Sequence, residues 1–190
     1  GLDGLTLMNP GESPDTYHYG QTAIYCNAAA TFANDTVYGP VSSGSGSLVL
    51  RDSLIHGTIT ANNAVLRNNV ITGVYNYATA ATVSLGGTSD VGGNGIHNAS
   101  GVGLSLGAGS VMVRNSTLAA NGGFGIVVTA GQHTLVNNIV AANGGGVQVR
   151  SGAPAGTSVA MRHNCVFGNV GAPFDGLPDP TGSNGNIRMN

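Results

Sequence analysis

Val113-Arg114-Asn115-Ser116-Thr117-Leu118-Ala119-Ala120-Asn121 decides the fold, because simple β alternation cannot hold across it. With a side-chain period of two, an inward Val113 would turn Leu118 outward. Yet the copies of this stretch put Val37, Ile55, Ile71, Val91, Val140 and Val166 at the Leu118 position, a column that belongs in a core. One residue near Asn115 must therefore break the alternation, and Asn and Asp tolerate the left-handed backbone that does so. The stretch reads as a strand, a sharp corner and a second strand.

Seven copies carry the pattern, at 32–39, 50–57, 66–73, 86–94, 113–121, 135–143 and 161–169. Taken at the second position of each, the anchors are Ala33, Arg51, Arg67, Gly87, Arg114, Val136 and Arg162, spaced by 18, 16, 20, 27, 22 and 26 residues. At ~3.3 Å of rise per residue, such a length makes one coil of three short strands, with loops of varying size at the corners. Helical repeats would be longer and show a 3.6-residue period, and a sandwich would need hairpin turns. Ser53, Asn69, Ser89, Ser116, Asn138 and Asn164 follow the corner in successive copies. Stacked ~4.8 Å apart, they can hydrogen-bond along the axis. Glycine-rich turns such as Asn121-Gly122-Gly123 and Asn143-Gly144-Gly145-Gly146 then lead into another strand, Phe124-Gly125-Ile126-Val127-Val128 or Val147-Gln148-Val149.

The composition suits one all-β domain. The 190 residues contain 32 glycines and only 7% charged residues; all six basic residues are arginine, against ~25% charged residues in a typical domain. Aliphatic residues recur throughout, so the chain buries a core rather than remaining disordered. A net charge of −2 argues against nucleic acid as a partner. No stretch is long and apolar enough for a membrane span, and Gly1-Leu2-Asp3-Gly4 does not open a signal peptide, which suggests a mature or excised form. Cys26 and Cys165 suit neither a disulfide scaffold nor zinc. Three segments are expected: an N-terminal strand or cap over 1–30, β-helix repeats over 31–170, and a Pro/Gly-rich loop and tail over 171–190.

Arg67-Asn68-Asn69-Val70-Ile71-Thr72-Gly73 and Val136-Asn137-Asn138-Ile139-Val140-Ala141-Ala142-Asn143-Gly144 resemble the repeats of the right-handed parallel β-helix, pectate-lyase-like superfamily. The similarity runs from about residue 32 to 169, and Gly182-Ser183-Asn184-Gly185-Asn186-Ile187 resembles the closing stretch of some bacterial surface β-helix proteins. The resemblance implies a right-handed parallel β-helix, a solenoid of about seven three-sided coils. It does not choose an activity, since polysaccharide lyases, hydrolases, tailspikes and adhesins share the fold.

The residues themselves offer little chemistry. A lyase of this type needs clustered acids for calcium, and glycoside hydrolysis needs two carboxylates ~5–9.5 Å apart. Of Asp3, Glu12, Asp15, Asp35, Asp52, Asp90, Asp175 and Asp179, only Asp35, Asp52 and Asp90 fall on the repeats, at differing positions. Asp175 and Asp179 read as solvated loop groups. His18, His56, His97, His133 and His163 are scattered, with no nucleophilic set around them. No catalytic residue, metal ligand or cofactor is therefore expected.

Two surfaces remain. Arg51, Arg67, Arg114 and Arg162 share the outward position before the corner and could hold an acidic polysaccharide; alternatively each binds corner carbonyls or Asp52 and packs its stem on the next coil. The facing column reads Thr36, Leu54, Val70, Asp90, Thr117, Ile139 and Cys165, beside Tyr38, His56, Thr72, Gly92, Ala119, Ala141 and Phe167. This flat, nearly uncharged surface suits a partner or a second copy. The leading expectation is a secreted or cell-surface module, structural or adhesive and non-catalytic, that self-associates into oligomers or filaments. The alternative is a binder or degrader of acidic glycans, and a third is a piece of a larger β-helix such as a tailspike.

Overall fold

In a computed structural model, residues 2–3, 6–8, 24–72 and 81–189 are described. Glu12, Asp15, His18 and Gly73, and much of the expected N-terminal cap, lie outside the described residues. Among the described residues, twenty-three strands wind into successive coils. The first comprises β1 (Leu2–Asp3), β2 (Thr6–Met8) and β3 (Ile24–Cys26); the next, β4 (Ala30–Ala33), β5 (Thr36–Tyr38) and β6 (Val41–Ser43). Then come β7 (Leu48–Arg51), β8 (Leu54–His56), β9 (Ile59–Ala61), β10 (Ala64–Arg67) and β11 (Val70–Thr72). Two long strands, β12 (Ala81–Gly92) and β14 (Val102–Arg114), each bend round a corner, with β13 (Gly95–His97) between them. The stack continues through β15 (Thr117–Ala119), β16 (Phe124–Val128), β17 (Gln132–Val136), β18 (Ile139–Ala141) and β19 (Gly145–Val149). It ends with β20 (Ser158–Arg162), β21 (Cys165–Phe167), β22 (Phe174–Asp175) and β23 (Ile187–Met189), so 171–190 contributes two strands as well as loop.

The described ladders between coils are all parallel, with one register irregularity in β12, and make three faces. The first face runs β1-β4-β7-β10, the second halves of β12 and β14, β17 and β20. The second runs β2-β5-β8-β11-β13-β15-β18-β21-β23, and the third runs from β3 to β22 through the first halves of β12 and β14. Their inward columns, including Leu50, Leu66 and Val113, then Ile55, Ile71 and Leu118, then Ile59, Val83 and Leu104, meet in one core with no solvent exposure.

The corner between the first and second faces works as the parity argument requires. Asn34, Asp52, Asn68, Gly93, Asn115, Asn137 and His163 all have φ between 51° and 69°. The next residue turns inward and joins a ladder. The backbone N–H of Asp35 donates to Ser53 Oγ, that of Ser53 to Asn69 Oδ1, that of Asn69 to Asn94 Oδ1 and that of Asn94 to Ser116 Oγ. Ser116 donates likewise to Asn138, Asn138 to Asn164 and Asn164 to Asn186, over 3.0 Å in each case. These buried amides and hydroxyls cap backbone groups that would otherwise be orphaned at the bend.

One repeat is displaced from its sequence alignment. Gly92, not Gly87, pairs with Arg67 on one side and Arg114 on the other. Hence Ile96 rather than Val91 fills the second-face core column, Asn94 rather than Ser89 carries the ladder, and Gly95 and His97 replace Asp90 and Gly92 on the second face. The cause is β12, which passes from the third face to the first with an irregularity between Leu85 and Gly87. After its bend at Gly86-Gly87, Ser89 and Val91 repeat the spacing of hydroxyl and aliphatic residue that Ser116 and Leu118 have at the other corner. Ser89 does cap a bend, accepting from Ala64 N–H and donating to Gly86 O, but at the corner between third and first faces.

Candidate functional site

On the first face the arginines do stack: Arg51 pairs in register with Arg67, and Arg67 with Gly92, which in turn pairs with Arg114. The shifted register brings in a partner that the sequence had placed elsewhere. Asp90 lies two residues before Gly92 and accepts from both arginines. Arg67 holds it through both terminal nitrogens, one of them 3.0 Å from Oδ1, and donates further to the Asp90 carbonyl at 3.1 Å. Arg114 reaches it through Nε at 3.3 Å and Nη2 at 3.1 Å. Gly92 leaves room for this: a Cβ there would stand 3.0 Å from Arg67 Nη1. Three coils are thereby clasped by one carboxylate. Arg51 and Arg162 are exposed and form no ion pair among the described residues, while Asp52 is bonded instead by Asn68 Nδ2 at 3.1 Å.

Partial burial by itself would raise the Asp90 pKa, but the hydrogen bonds and charges of Arg67 and Arg114 outweigh it and hold the carboxyl below the usual range. A depressed folded-state pKa stabilises the fold above the unfolded value of about 3.9, and that contribution disappears as pH falls through the folded value. Asp90→Asn is therefore expected to cost about 1 kcal/mol at pH 7, discounted for the partly exposed setting. In urea melts the difference from the parent should shrink as pH falls from the unfolded value of about 3.9 through the lower folded-state value; a gap independent of pH would show that charge is not its source.

The second face presents a different surface. Its outward columns read Thr36, Leu54, Val70, Gly95, Thr117, Ile139, Cys165 and Ile187, beside Tyr38, His56, Thr72, His97, Ala119, Ala141, Phe167 and Met189. None is an acid, lysine or arginine. Val70, Ile139, Ile187 and Met189 are 43–53% exposed. Near the N-terminal end, the Tyr38 ring stacks on His56 with centroids 4.8 Å apart, and Thr72 Oγ1 lies 2.9 Å from His56 Nδ1. Burial, and then the charge of His97, lower the His56 pKa and favour the neutral ring.

Several other polar groups are tied into structure. Asp35 is buried, Gln148 Nε2 donates to Asp175 at 2.6 Å, and Asp179 accepts from Thr181 N–H at 2.9 Å and Arg188 Nη1 at 2.8 Å. His133, 2% exposed, accepts from Val111 N–H at Nδ1 and meets Ala130 O at Nε2. Among the described residues no three His, Cys, Asp or Glu side chains gather as a metal site, and both cysteines are free thiols. A second amide ladder, unseen in the sequence reading, lies between the second and third faces. Ala99 N–H donates to Asn121 Oδ1, Asn121 N–H to Asn143 and Asn143 N–H to Asn169. The repeated Ala-Asn-Gly at 120–122 and 142–144 was its available signal.

Parallel strands in register, three faces around one core and polar ladders at two corners define a β-helix. The chain belongs to the family described as right handed beta helix region, whose family model matches residues 16–177. Neither the curated proteins nor the solved structures yielded a match.

Proposed function

We propose that this chain is a non-catalytic structural or adhesive module, acting outside the cell, that docks laterally on a second copy through its second face. The observation carrying this reading is the run of outward columns from Thr36 to Met189 without a formal charge, with four large apolar side chains open to solvent. A face free of charge meets itself without repulsion, as an isologous contact requires. At ~4.8 Å per coil and about 10 Å of width its area is on the order of 350 Å², below the ~800 Å² per partner of a standard interface. Each contact is accordingly weak, and the surface suits many copies held together, as in a layer or fibre. The extracellular setting is supported by resemblance to secreted and surface β-helices. Engagement of Asp90, Asp175 and Asp179 by arginine, glutamine and threonine supports the absence of catalysis.

Ile139→Glu tests the contact. Ile139 is already 43% exposed, so the folded monomer should keep its melting temperature while concentration-dependent association in sedimentation equilibrium is lost. Identical association by parent and variant would remove the second face from the proposal. The register of Arg51 over Arg67 favours a second reading, binding of an acidic polysaccharide. Retention of the parent on a uronate column, lost in Arg51→Ala/Arg162→Ala, would select it.

A further inference from the structure

Acid adds charge to the second face at two places. Among its described outward positions the titratable side chains are Tyr38, His56, His97 and Cys165. A phenol and a thiol are neutral when protonated, so falling pH leaves Tyr38 and Cys165 uncharged. An imidazole instead gains a proton and a positive charge between about pH 8 and 5. Both rings lie on the face. His56 is stacked on Tyr38 with 11° between the ring planes. Thr72 Oγ1 donates to the Ile55 carbonyl at 3.4 Å and therefore takes the Nδ1–H of His56, which leaves the Nε2 lone pair without a partner among the described residues. The His97 ring leans along the face toward Gly95, where a Cβ would stand 3.9 Å from His97 Cδ2. Thr72 separates the two histidines, since β11 pairs with β8 on one side and with β13 on the other.

The described strands beside them offer nothing to offset the charge. In register with the rings, β5 contributes Tyr38, β11 Thr72 and β15 Ala119. Asp52, four residues before His56, is bonded by Asn68, and Asp90, seven before His97, is held on the first face by Arg67 and Arg114. The His56 ring accordingly responds to burial and to the His97 charge rather than to a carboxylate.

We infer that protonation of His56 and His97 releases the lateral contact, so that copies associate near neutral pH and separate in acid. The inference rests on the contact proposed above and adds its regulation. An isologous interface repeats every group of the face on both copies. Two protonated rings thus become four like charges in an area shedding water, where an uncompensated charge costs far more than in solution. Each ring that must give up its proton on association weakens binding about tenfold for every pH unit below its own titration point.

Sedimentation equilibrium of the chain at about pH 7.5, 6.5 and 5.5, at one ionic strength, reads the association constant, and circular dichroism at each pH shows that the fold is retained. The parent should associate at least about tenfold more weakly at the lowest pH than at the highest. His56→Gln/His97→Gln keeps polar side chains that take no proton; whatever its affinity, it should show one value across the range. If that double variant fails to fold or to associate, His97→Gln alone replaces it, and its slope of log Kd against pH should be about half the parent's. A parent that associates equally at all three pH values overturns the inference and leaves the lateral contact standing. A folded, associating variant that keeps the parent's full pH dependence overturns it as well. A parent that stays monomeric at every pH removes both the regulation and the contact.

Discussion

Asn138→Ala is expected to destabilise the chain by about 4 kcal/mol, as much as truncating a buried leucine to alanine. Asn138 is 1% exposed, and its side chain makes three hydrogen bonds to the coils on either side. Its Oδ1 accepts from Ser116 N–H at 3.0 Å; its Nδ2 donates to Val113 O at 2.9 Å and to Asn164 Oδ1 at 3.0 Å, where its own N–H also donates. Alanine leaves the Ser116 N–H and Val113 carbonyl buried without those partners, at about 1–3 kcal/mol apiece, and opens a small cavity besides. Urea unfolding with an unchanged slope is the measurement. A loss under about 1 kcal/mol would mean that water replaces the amide, and that the ladder does not hold the coils together.

The same residue shows why the fold was legible. Parity around Asn115 demanded one left-handed residue followed by an inward polar one, and the structure has φ of 51° at Asn115 and a buried Ser116. The reading rested on local sterics and a repeating pattern, both of which the chain carries explicitly. It slipped by five residues where β12 turns a corner, because Ser89 and Val91 place a hydroxyl and an aliphatic residue at the spacing of Ser116 and Leu118. Residue type does not distinguish two bends that each bury a hydroxyl; only strand pairing does so.

That slip also governed the surface. With Asp90 assigned to the second face, the partners read for Arg67 and Arg114 were corner carbonyls, Asp52 or an acidic glycan, and not Asp90. Five residues of register carry the acid to the first face and between them, which leaves the second face without a formal charge among its described outward positions. The true register thus weakens the glycan reading and strengthens the docking one at the same time.

A second large effect is expected at a glycine. Gly144 does not require a left-handed backbone; it is short of space. A Cβ at 144 would lie 2.1 Å from the Gly122 carbonyl oxygen and 3.1 Å from that of Gly123. The obstructing atoms are backbone, fixed by Gly144 N–H donating to Asn121 O at 2.8 Å and Gly171 N–H donating to Gly144 O at 2.7 Å. The tightness repeats along the stack, since a Cβ at Gly122 would stand 2.3 Å from Ser100 O and one at Gly171 would stand 2.6 Å from Gly144 O. Gly144→Ala must therefore push two coils apart beside the Asn143 ladder, at about 3 kcal/mol, the upper end of overpacking costs. Gly107→Ala is the matched control, because its nearest neighbour would be Leu85 O at 3.4 Å. There the lower entropy of the unfolded chain should leave stability equal or raised by about 0.5 kcal/mol. Thermal melts of the two variants should consequently move in opposite directions or differ by several degrees. Equal melting temperatures would mean that the coils can separate at this turn without cost, and that the glycine column does not set their spacing.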